Sequence, residues 1–142
     1  MADNSSDLEL TYDSKNGKSN QIVGLRYPNL GIPQGADILE ATIQFTVDEK
    51  NSEFTNLQIY GEAANHSNSF RDNRYELTER SSTNARVNWQ PAPWTSVDEA
   101  GPDQRTPDLS SIIQEIVRRP SYSKNSAISL IIKGEGERTA RS

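Results

Sequence analysis

A chain of 142 residues is long enough to bury about two-thirds of the surface that its unfolded form exposes, so one domain with a single core accounts for it. Only 32% of the residues are apolar, which makes that core thin, as between two sheets or between a sheet and a helix. A net charge of −5, from 20 acidic against 15 basic residues, argues against nucleic acid as partner, because such binding rests on clustered Lys and Arg.

No run approaches the ~20 apolar residues of a membrane-spanning helix, so membrane insertion is not expected. The first residues carry no hydrophobic signal region, which leaves a cytosolic protein or one whose export signal has been removed. The absence of cysteine excludes disulfides, zinc–thiolate sites and thiol nucleophiles.

In chain order, the β-rich run from Asn20 to Tyr27 reads as a strand, closed by Pro28 and Asn29. A turn is expected over 31–35, where Pro33 sits between Gly31 and Gly35. Ala41, Ile43, Phe45 and Val47 then alternate with Thr42, Gln44 and Thr46, the pattern of a half-buried strand. After a charged connection over 48–53, Leu57, Ile59, Gly61 and Ala63 alternate with Gln58, Tyr60 and Glu62, and these two strands are expected to pair antiparallel. Residues 64–84 are polar and read as a long loop with short extended pieces, in which Phe70, Tyr75 and Leu77 are the large apolar groups. A short strand from Ala85 to Trp89 leads to a rigid corner at Pro91 and Pro93 that carries Trp94.

One helix is signalled, over about 107–118. Thr106 stands as N-cap, Pro107 at the first helical position and Asp108 in the first turn, and Leu109, Ile112, Ile113, Ile116 and Val117 form one apolar stripe that ends before Pro120. A buried strand from Ala127 to Lys133 precedes a glycine-rich, charged tail over 134–142. Many short strands and one late helix predict an all-β fold, an antiparallel β-sandwich of the jelly-roll kind, in a single module spanning 1–142.

The run Val23–Tyr27, Ile32 with Pro33, Gly35 with Ala36, the strand Ala41–Phe45, the segments Gln104–Leu109 and Gln114–Val117, and the finish with Trp89, Trp94 and Gly134–Arg138 resemble extracellular bacterial β-sandwich modules. They are distantly similar to the disaggregatase-related carbohydrate-binding modules, over about residues 6–142. The resemblance implies an exported, non-catalytic accessory module, located outside the cell or on its surface, with calcium as an optional ligand. It also implies a further strand after the 138–142 segment, so the expectation is a sandwich lacking its closing C-terminal strand, with an open sheet edge.

For catalysis the inventory is thin: His66 is the sole histidine and sits in a polar stretch without a partner motif. Glu62, Glu76 and Glu79 are the carboxylates from which a glycosidase pair would have to be drawn. Sugar binding needs aromatic faces together with amide, carboxylate or guanidinium groups, and the expected site is Gln44, Gln58, Tyr60, Glu62, Arg86 and Trp94, with Trp94 as a proline-held stacking platform. The plain alternative is an ordinary solvated sheet face, and Trp89 shares parity with Val87 and reads as core. Asp98 and Asp103, around Gly101 and Pro102, are the candidate calcium ligands, without EF-hand spacing. The expected function is therefore a polysaccharide-binding module with no enzyme activity; the alternative is a structural or adhesive repeat that self-associates or binds a protein partner at an open sheet edge.

Overall fold

The structure is a computed structural model that describes residues 7–10, 22–68 and 80–141. Its seven strands are β1 (Asp7–Leu10), β2 (Val23–Tyr27), β3 (Val47–Glu49), β4 (Asn56–Glu62), β5 (Ser82–Trp89), β6 (Ile128–Glu135) and β7 (Arg138–Arg141), with one helix, α1 (Ser110–Val117). Among the described residues all pairings are antiparallel, and the fold is all-β with a single α-helix, as the sequence leads one to expect.

The strands form two sheets, ordered β1-β7-β3 and β2-β6-β4-β5. Beside β3, the segment 94–99 runs antiparallel: Asn51 and Trp94 exchange backbone hydrogen bonds of 3.0 and 2.8 Å, and Val47 N–H reaches Glu99 O at 2.9 Å. Leu10, Val47 and Ala140 from one sheet and Val23, Leu57, Ile59, Trp89, Leu130 and Ile132 from the other meet in one buried cluster, joined by Phe45 and Trp94. Burial of these side chains stabilises the fold by roughly 1.5–3 kcal/mol each. Trp89 is core, stacked on Phe45 with ring centroids 5.8 Å apart.

Four departures from the sequence reading have physical causes. The alternation over 41–47 is real, but its strand pairs with β7 and with 94–105, whereas β4 lies in the other sheet between β5 and β6. Parity tells which face a residue takes and carries no information about the neighbouring strand.

The helix starts three residues later than expected, because 106–109 is claimed by residues 41–43. Thr106 N–H donates to Ile43 O at 3.0 Å, Leu109 N–H donates to Ala41 O at 2.6 Å, and Thr106 Oγ1 accepts from Ile43 N–H at 3.0 Å in place of capping the helix. Asp108 receives Ala41 N–H, Ser110 N–H and Ser110 Oγ–H, and these bonds hold its carboxyl below the usual range.

The 138–142 segment, read as a tail, contains β7, paired on one side with β1 and on the other with β3. The chain reaches it through a tight turn at Gly136, with φ of 97°, just after Gly134 near the end of β6 adopts φ of 150°. A Cβ on Gly134 would stand 2.2 Å from Asn56 O, so only glycine fits there.

The 64–84 loop is likewise shorter than expected at its C-terminal end. β5 begins at Ser82, and its polar start is stabilised by a bulge in which Thr83 Oγ1 accepts from Gly61 N–H and donates to Ala85 O. Phe70, Tyr75 and Leu77 lie outside the described residues.

Candidate functional site

The four-stranded sheet turns its even-numbered β4 and β5 residues and odd-numbered β6 residues away from the core. Register then sets neighbours: Gln58 stands opposite Asn88 on β5 and Lys133 on β6, and Tyr60 stands opposite Arg86 and Ile131. Gln58, Tyr60 and Arg86 are thus brought together as expected. Arg86 donates to Gln58 Oε1 at 3.1 Å and to Ser82 Oγ at 3.0 Å, and its guanidinium carbon lies 4.5 Å from the centre of the Tyr60 ring. Lys133 Nζ lies 5.5 Å from the same ring. Two cations against one ring stabilise this arrangement, but they also cover it. Tyr60 is only 6% exposed, and burial raises its phenol pKa against the opposing pull of Arg86. Tyr60 is therefore the floor of the site and not a stacking surface.

Toward the β6–β7 turn the face sinks into a shallow depression of about 390 Å³, lined by Asn56, Gln58, Asn88, Lys133, Gly134 and Glu135. The side chains of Asn56, Asn88 and Glu135 make no hydrogen bond among the described residues. Two planar amides and a carboxylate thus stand unspent on three adjacent strands, beside an ammonium group. Asn56, Lys133 and Glu135 were not identified from the sequence. Their shared parity with Gln58 or with each other was visible, but the register joining β6 to β4 was not. Two residues upstream of Asn56, Phe54 exposes 67% of its surface.

The remaining expected residues lie elsewhere. Gln44 belongs to the opposite side of the molecule, where its amide donates to Gly101 O at 3.0 Å and accepts from Arg105 Nε at 2.9 Å. Glu62 is on the same sheet but is consumed by an ion pair with Arg80 at 2.8 Å and a hydrogen bond from Ser67 at 2.6 Å. Trp94 is 0% exposed and donates its indole N–H to Asp103 O at 3.1 Å. The proline corner turns the ring inward against Phe45, so no face is left for a sugar.

Asp98 and Asp103 do not form a cation site. The Asp98 carboxylate is bound by the Arg141 guanidinium, and among the described residues no three His, Cys, Asp or Glu side chains converge as metal ligands. His66 is structural: its Nδ1 accepts from Ala127 N–H at 2.9 Å. Glu76 and Glu79 lie outside the described residues.

No family model, no curated protein and no solved structure matches the chain. Among the described residues no helix is long and apolar enough to cross a membrane.

Proposed function

We propose that this chain is a non-catalytic polysaccharide-binding module of a secreted or cell-surface protein, acting through the outer face of the four-stranded sheet. The observation that carries the reading is the unspent set at the depression. Asn56, Asn88 and Glu135 offer paired donors and acceptors that match vicinal hydroxyls, and Gln58 and Lys133 flank them. A shallow, open depression suits an internal stretch of a long glycan, which must enter and leave without threading. The exposed Phe54 supplies an aromatic ring two residues away in the chain.

The nested pairings support a jelly roll as the finer description of the scaffold. β1 with β7, β2 with β6, residues 47–51 with 94–98, and β4 with β5 are the rungs of one antiparallel ribbon wrapped on itself. The resemblance to carbohydrate-binding modules points the same way.

Affinity electrophoresis and a glycan array covering neutral and acidic polysaccharides test this reading. Retardation by at least one glycan is expected. Asn88→Ala and Asn56→Ala should each weaken it by about tenfold, the loss of one to two hydrogen bonds. Absence of retention across the panel, or retention indifferent to both variants, would end the proposal.

A further inference from the structure

Between Ala41 and Phe45 the odd-numbered residues make their backbone hydrogen bonds on one side. Ala41 N–H reaches Asp108 Oδ1 at 3.0 Å and Ile43 N–H reaches Thr106 Oγ1 at 3.0 Å. Phe45 N–H reaches Gln104 O at 2.9 Å, and Ala41 and Ile43 accept from Leu109 and Thr106. In an extended strand, successive residues address opposite flanks. The peptide groups of Glu40, Thr42 and Gln44 therefore face away from these partners. None of them makes a hydrogen bond among the described residues, and all three residues are exposed. The next carbonyl on that flank, Thr46 O, accepts from Arg141 N–H at 2.9 Å. The bare row is thus the straight continuation of the line along which β7 pairs with β3.

Next to this row opens an apolar cleft of about 700 Å³, floored by Leu109, Ile113 and Leu130 and bordered by Tyr27 and Ile43. Leu39 stands at its mouth, 91% exposed. A small apolar ligand would fill the cleft and leave the peptide row unpaired. A strand satisfies both, because its backbone pairs with the row while every second side chain enters the cleft.

We propose that residues 40–44 accept an extended segment of another polypeptide, added antiparallel in line with β7. Its alternate apolar side chains occupy the cleft over Leu109, Ile113 and Leu130. An outward Lys or Arg pairs across the strands with Glu40, whose carboxylate has no partner among the described residues. The site shares no residue with the glycan face and does not depend on it.

The probe is a fluorescently labelled synthetic peptide, Lys-Val-Lys-Val-Thr-Val-Lys-Val, followed by anisotropy and by amide hydrogen exchange. Saturable binding is expected, with exchange at Glu40, Thr42 and Gln44 slowed by about tenfold or more. The same peptide N-methylated at alternate amides should not bind. Thr42→Pro removes an N–H that bonds to nothing among the described residues, so it should abolish binding while leaving the thermal midpoint within a few degrees. Equal binding by the N-methylated peptide, no binding by either, or slow exchange at the three amides without peptide would overturn the proposal. A concentration-dependent dimer protecting the same amides would give the row to a second copy of this chain and overturn the choice of occupant.

Discussion

Arg138 is the largest buried charged side chain among the described residues, 1% exposed, and its guanidinium acts as a clasp. It donates to Ala92 O at 3.2 Å, Pro91 O at 3.0 Å, Thr55 Oγ1 at 2.8 Å and Glu137 O at 2.6 Å, with Glu53 at 3.6 Å. Burial lowers its pKa and Glu53 opposes that, yet a guanidinium stays charged at any ordinary pH. The planar fork is what ties the proline corner to β7 and thereby turns Trp94 into the core. Arg138→Met keeps the volume and strands several buried acceptors, each costing about 1–3 kcal/mol. A loss of about 3 kcal/mol or more is expected, read as a lower urea midpoint at unchanged slope. Arg138→Lys should recover part of it, since an ammonium keeps the charge without the fork. A loss below about 1 kcal/mol in the Met variant would show that the corner holds itself.

At the scale of elements, α1 has a second task besides covering the sheet with Ile112, Ile113, Ile116 and Val117. Glu115 accepts from the N–H groups of Asn84 and Ala85, both at 2.9 Å, just where the bulge leaves β5 without ladder partners. Glu115→Ala should leave the fold intact and speed exchange at these two amides by about tenfold or more, while the amides of β4 and β6 stay protected. Unchanged exchange would mean that the bulge alone shelters the edge. The helix itself was legible, because five apolar residues at helical spacing admit little else. Its start was not, because Thr106-Pro107-Asp108 serves equally as a cap or as extended chain, and only residues 41–43 decide. Strand parity was similarly readable, and it placed Gln58 and Arg86 on one wet face. Lys133 and Glu135 joined them through a register that no local pattern encodes. β7 was missed because Ala140 is its only apolar residue. Its burial is carried by hydrogen-bonded Arg138 and Thr139, which resemble loop composition.

For the whole molecule, the nested pairing sets the order in which structure can form. The shortest closure belongs to β4 and β5, where Glu62 meets Ser82 and Leu57 meets Trp89; the longest joins Asp7 to Arg141. Loop-closure entropy favours the inner pair first, and a fold dominated by non-local contacts is expected to form in milliseconds to seconds. Ile59, buried at the centre of β4 between β5 and β6, should then have its contacts in place at the rate-limiting step. Leu10, buried on β1, should gain its contacts afterwards. Ile59→Val, costing about 0.5–1.5 kcal/mol, is expected to slow folding and leave unfolding nearly unchanged. Leu10→Ala, costing about 2–5 kcal/mol, is expected to act almost wholly on the unfolding limb. Denaturant chevrons of the two variants measure both effects. The reverse assignment would place the nucleus at the outermost strands, in which case β1 and β7 would have to find each other across nearly the whole chain before any inner rung had shortened the search.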